Sequence, residues 1–92
     1  MKQISAEQLK SLRNDVDVME VIGMLEIPLE NRGGRVTFRC PACTSFHTVL
    51  SPERNRAYCF KCTRSFNTID LVMAERSCTF LEAVGLLEYL IG

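Results

Sequence analysis

Over the first thirty residues, polar and apolar positions alternate with a helical period. Ser5-Ala6-Glu7-Gln8 has the form of a capping box, and Leu9 and Leu12 supply the apolar contacts of the short helix it opens. Asn14 or Asp15 offers a second N-cap. Val18, Val21, Ile22 and Leu25 then recur at i, i+3, i+4 and i+7, which predicts a helix over about residues 15–25. Gly23 weakens that helix and Pro28 stops it. Asn31-Arg32-Gly33-Gly34 reads as a hairpin turn; no strand–turn–helix frame surrounds the glycines, so a phosphate loop does not fit. The period then drops to two. Residues 35–39 alternate cleanly as a strand, residues 46–50 form a second, and Arg56 to Phe60 a third, with a turn over 51–55 that has Pro52 at its second position. Beyond the strands the helical period returns. Asn67 and Asp70 form a capping-box-like pair ahead of Ile69, Leu71, Val72 and Met73, a helix to about Arg76. Thr79-Phe80-Leu81-Glu82 is a T-x-x-E box opening a last helix whose Ala83, Val84, Leu86, Leu87, Leu90 and Ile91 are expected in the core. Gly85 within it costs about 1 kcal/mol against Ala, and close packing is the expected reason for it.

The order of elements predicts an α+β fold in a single domain over residues 1–92. Helices over about 5–25 and about 67–91 flank a small antiparallel sheet within a ribbon over about 31–66.

The cysteines change this picture most. Cys40 and Cys43 stand in C-P-A-C, fifteen residues follow, and Cys59 and Cys62 stand in C-F-K-C. Two such pairs are a zinc-site signature: each tight turn aims two thiolates at one ion, and the sheet between brings the turns together. Four protein ligands leave no open position, so one structural zinc is expected and a catalytic one is not. An iron–sulfur cluster is the other four-thiolate group to weigh. Disulfides would need an oxidising compartment, but Met1-Lys2-Gln3 does not lead into an apolar signal segment, and five cysteines leave one over. Cytoplasmic location is therefore expected. Cys78 reads as a small buried hydrophobe near a helix junction. His47 lies on a strand and is expected at the surface or facing a ligand strand, not on the metal.

A chain of 92 residues buries about 60–65% of its unfolded surface, so a metal staple is physically useful. No apolar run approaches the length needed to span a membrane. The net charge of zero hides a segregation. Residues 31–64 carry Arg32, Arg35, Arg39, Arg54, Arg56, Lys61 and Arg64 against Glu53 alone, while both flanks are acidic. A basic middle suggests an anionic partner.

With these residues placed, the chain resembles the zinc-binding domain of bacterial and phage DNA primases. The resemblance rests on D-V-D-V-M-E-V-I-G (15–23), C-P-x-C, S-P (51–52), Y-C-F-K-C (58–62), N-T-I-D-L-V-M (67–73) and T-F-L-E-A-V-x-L-L (79–87). There are departures. Cys43 stands where the usual form has His, Thr44-Ser45-Phe46 is shorter than the family's segment, and Thr63-Arg64-Ser65-Phe66 replaces a glycine-rich stretch. The resemblance implies a module that binds single-stranded DNA template and takes part in primer initiation. It works beside a primase catalytic core in cis or trans, with the replicative helicase machinery as a further partner. The catalytic carboxylates of that core have no counterpart here, so the chain alone is not expected to polymerise.

Strand alternation adds a physical case. Arg35, Thr37 and Arg39 share one face, as do Arg56, Tyr58 and Phe60. If pairing joins those faces, arginines interleave with an aromatic, a surface suited to phosphates and stacked bases. Arg35, Arg39, Arg56, Tyr58, Lys61 and Arg64 are the candidate DNA contacts. Tyr58 and Phe60 could instead pack around the zinc knuckle, which suits Phe60 better. The rival function is a zinc-ribbon protein-interaction module using the apolar face of residues 80–91. A stand-alone enzyme is disfavoured, because a closed four-cysteine site holds no reactive water.

Overall fold

The computed structural model describes residues 5–51 and 53–91. Two helices, α1 (Ala6–Asn14) and α2 (Val18–Met24), precede five strands, β1 (Leu29–Arg32), β2 (Arg35–Phe38), β3 (Thr48–Ser51), β4 (Arg56–Cys59) and β5 (Arg64–Phe66). Helices α3 (Thr68–Arg76) and α4 (Phe80–Ile91) close the chain. The expected turn residue Pro52 and the side chains of Leu90 and Ile91 lie outside the described residues.

Most helix starts follow their caps. Ser5 accepts the Gln8 amide at 3.1 Å, although the Gln8 side chain reaches Glu88 Oε1 at 2.6 Å and so ties α1 to α4 instead of completing the box. Both later boxes are reciprocal. Asn67 Oδ1 accepts from the Asp70 amide at 2.8 Å and Asp70 accepts from the Asn67 amide at 3.2 Å. Thr79 and Glu82 do the same at 3.2 and 3.0 Å, and the Thr79 amide holds the Glu82 carboxyl below its ordinary range. The second helix differs from expectation: Asp17 is its N-cap, and Asp15 ends α1.

The sheet has five strands where the alternation pattern shows three. It is an antiparallel meander in the order β1-β2-β3-β4-β5. Gly33 and Gly34 make the β1–β2 hairpin, with φ of 59° and 87°, the left-handed pair that a two-residue hairpin loop needs. Phe38, Thr48, Cys59 and Arg64 fall in one cross-strand row. Because side chains alternate, that row and Ala57 and Phe66 face the helices, and Phe38, Thr48, Ala57, Cys59 and Phe66 are buried there. The opposite face of the sheet is open. The sheet's buried residues join those of α1 to α4, among them Leu12, Val21, Leu71, Val72 and Leu87, in one core. Thr68 Oγ1, fully buried, donates to the Leu12 carbonyl at 2.7 Å and locks the start of α3 to α1.

One turn residue ties the sheet to the N-terminal helices. Asn55, at φ 53° between β3 and β4, donates through Nδ2 to the carbonyls of Arg13 (2.8 Å) and Val16 (2.6 Å) and accepts from the Val18 amide at 2.9 Å. It thereby satisfies backbone groups at the α1–α2 junction that neither helix can satisfy itself.

Helix α4 buries Ala83, Val84 and Leu87 but leaves Phe80, Leu81, Leu86 and Tyr89 exposed, the last at 87%. The apolar stripe therefore has a second, outward side. Gly85 lies there with nothing within 4 Å of a built Cβ, so close packing is not its reason. Gly85→Ala should raise stability by about 1 kcal/mol. For a domain of this size that is a rise of about 4–8 °C in the thermal midpoint. An unchanged or lowered midpoint would contradict the open surroundings of this residue.

Candidate metal centre

Each C-x-x-C turns so that its backbone points at its own first sulfur. After β2, the amides of Ala42 and Cys43 lie 3.4 and 3.5 Å from Cys40 Sγ, and the Thr44 amide donates to the Cys40 carbonyl at 2.9 Å. After β4, the amides of Lys61 and Cys62 bond Cys59 in the same way. A threonine in left-handed backbone follows each pair, Thr44 at φ 63° and Thr63 at φ 56°, its hydroxyl donating to the preceding cysteine carbonyl at 2.6 and 2.7 Å. The two knuckles are thus copies of one local structure. Here Thr63 takes a conformation for which glycine is the usual residue.

The ladder brings the knuckles together. Cys40 Sγ lies 3.7 Å from Cys62 Sγ, and Cys43 Sγ 3.6 Å from Cys59 Sγ. All four sulfurs lie within 4.8 Å of one another. A tetrahedral zinc with Zn–S bonds of about 2.3 Å requires sulfur separations of about 3.8 Å, so this cage suits one zinc-sized ion. It is too tight for a cluster of several irons. Cys40 and Cys59 are fully buried, and Cys43 and Cys62 are half-buried. Ser45, which the spacing does not single out, sits against two of the cage sulfurs, its hydroxyl 3.0 Å from Cys43 Sγ and 3.8 Å from Cys59 Sγ. Cys78 lies apart, packed against the core with its thiol 3.7 Å from the Val72 carbonyl. His47 is exposed and outside the cage; its carbonyl accepts from the Phe60 amide at 3.1 Å.

The candidate nucleic-acid residues divide by face. Thr48 and Cys59 are register partners on the buried side, which puts Tyr58 and Arg56 on the open side, and Phe38 opposite Thr48 puts Thr37 and Arg35 there too. Phe60 is 59% exposed and meets Tyr58 edge-on at 4.9 Å, so it does not pack beneath the knuckle. Arg35 and Thr37 line one shallow cleft with Phe46, His47, Val49 and Phe60. Lys61 is exposed in the second knuckle. Arg39 is engaged in an ion pair with Glu75 of α3, and the Arg64 guanidinium sits 5.1 Å from the centre of the Phe66 ring.

A family model described as the CHC2 zinc finger matches residues 4–91. The chain belongs to this family. The CHC2 zinc finger of this chain is also 30% identical over 90 residues to the DNA primase of Listeria monocytogenes serovar 1/2a and to that of Listeria innocua serovar 6a. Each alignment covers 91% of this chain and 14% of the relative, so the chain spans about one seventh of the length of these curated primases. The histidine in the family's name has no counterpart in the cage: its four donors are all cysteine sulfurs.

Three of the thiols have shifted acidities, each with a local cause. Ser45 holds the Cys43 thiol below its ordinary range through its hydroxyl and amide. Burial pushes Cys59 up, but the Cys62 amide and neighbouring hydrogen bonds more than offset this and hold it at about 6. Burial, then the other thiols, pushes Cys62 up to about 12. A divalent ion between the sulfurs would favour the thiolate form of all four.

Proposed function

We propose that residues 1–92 form the zinc-binding domain of a DNA primase. One structural zinc on Cys40, Cys43, Cys59 and Cys62 holds a sheet whose open face binds single-stranded template during primer initiation in the cytoplasm. The observation that carries this reading is the joining of Arg35, Arg56, Tyr58 and Phe60 on that face, with Glu53 the sole acidic residue between β2 and β5. Phosphates pair with the arginines, and bases stack on the half-buried Tyr58 ring and the exposed Phe60 ring. The catalytic core that joins nucleotides is supplied in cis or trans, and this chain alone makes no primer. Lys61 lies at the knuckle end of the same region. Arg39 and Arg64 contribute less, since one is held by Glu75 and the other by Phe66.

Fluorescence anisotropy of a labelled single strand at several salt concentrations tests this. If three phosphates are neutralised, log affinity should fall with log salt at a slope near −2. Arg56→Ala should flatten the slope by about 0.7, and Tyr58→Ala should cost about 1–3 kcal/mol without changing it. Lys10→Ala, on the outside of α1, should do neither. Absence of binding at low salt would remove the reading.

A second reading has its own observation. The outward side of α4, with Phe80, Leu81, Leu86 and Tyr89 exposed, suits a protein contact, either with the catalytic core or with the helicase machinery. In that case the ribbon would serve as a protein-interaction module, and strand binding would be absent.

A further inference from the structure

The open face of the sheet holds two clefts of different chemistry. The one bordered by Phe46, His47, Val49 and Phe60 is largely apolar, and among the described residues Arg35 is the arginine that lines it. The other, of about 580 Å³, is lined by Ser51, Arg54, Arg56, Tyr58 and Ser65. Ser51 and Arg56 are register partners across β3 and β4, and Tyr58 and Ser65 across β4 and β5, so four of these side chains rise from one rigid surface. Arg54 joins them from the turn whose Ser51 carbonyl accepts its amide at 3.2 Å. Each of these lining side chains can donate hydrogen bonds, and no carboxylate is among the described residues of the cleft.

We propose that this second cleft binds a terminal phosphate group, the monoester or polyphosphate end of a nucleotide, in preference to a phosphodiester within a strand. An internal diester carries one negative charge and two free oxygens. Two guanidinium forks and three hydroxyls offer far more donors than that, and two neighbouring arginines are best neutralised by a group of higher charge. The inference rests on the nucleic-acid reading of this face and assigns one part of it. The source of the phosphate is either a free nucleoside triphosphate or the 5′ end of a strand, and the chemistry is shared.

The test uses the zinc-loaded full chain and two oligonucleotides of one sequence, one with a 5′-triphosphate and one with a 5′-hydroxyl, followed by anisotropy with ATP as competitor. The triphosphate strand should bind about tenfold more tightly, the ratio given by roughly one charge-assisted bond. Arg54→Ala and Arg56→Ala should each reduce that ratio towards one, with zinc content retained. Arg35→Ala should weaken both strands together and leave the ratio. Competition by ATP at concentrations comparable to the triphosphate strand identifies the free nucleotide as the ligand; displacement by the strand alone identifies its end. Equal affinity for the two strands would overturn the cleft assignment while leaving single-strand binding in place. Failure of both strands to bind would overturn both. A ratio that survives Arg54→Ala and Arg56→Ala alike would place the terminal phosphate elsewhere.

Discussion

Removing the metal with a chelator should unfold the sheet. Zinc in small four-ligand sites contributes about 10–16 kcal/mol apparent at neutral pH, more than the total stability of most small domains. The pairing of β2, β3 and β4 brings the two knuckles together, but their sulfurs approach to 3.6 and 3.7 Å, a packing of thiolates that a cation between them would stabilise. Loss of the ion should therefore open β2, β3 and β4 at the end where Cys40 and Cys59 are fully buried. The helices bury residues of their own, including Leu12, Val21, Leu71, Val72 and Leu87, and should keep part of their signal. Amide exchange with and without chelator separates the two. Protection of Ala57, Tyr58 and Cys59 should vanish while that of α3 falls only in part. Full protection of β4 in metal-free protein would contradict the account.

The second large effect is expected from a residue far from the metal. Asn55→Ala removes three hydrogen bonds of 2.6 to 2.9 Å to Arg13, Val16 and Val18. At about 1 kcal/mol each, with a further roughly 1–2 kcal/mol because alanine tolerates left-handed backbone poorly, the loss is about 4 kcal/mol. Asn55→Asp keeps the acceptor for the Val18 amide and loses both donors, so it should fall between wild type and Ala. Urea unfolding at fixed zinc would show this order as midpoints. Wild-type stability in Asn55→Ala would mean that the β3–β4 turn does not clamp the helices.

These two effects mark what the sequence displays and what it conceals. The four-cysteine cage is legible because its sulfurs come from two local turns, each a Cys-x-x-Cys whose amides serve its own first sulfur. The two reciprocal caps, Asn67 with Asp70 and Thr79 with Glu82, are legible for the same reason: each bond spans three residues. Asn55 is not, because its partners lie 37 to 42 residues away and nothing local distinguishes it from an ordinary turn residue. The engagement of Arg39 with Glu75 spans 36 residues and is hidden likewise. Strand β1 escapes the alternation rule because its side chains are mainly polar and its one large apolar residue, Leu29, is 59% exposed at the sheet's edge. Strand β5 has three residues, too few to show a period. Phe60 misleads by type: an aromatic beside a cysteine suggests packing, and the turn into the knuckle leaves it in solvent.

The central claim is that four cysteines of this chain hold one zinc. Native mass spectrometry of the intact protein tests it most directly. Wild type, His47→Ala and Cys78→Ser should each carry one zinc per chain, and Cys59→Ser should carry none. One full equivalent in Cys59→Ser, or its loss in His47→Ala, would contradict the assignment of Cys40, Cys43, Cys59 and Cys62 as the ligands.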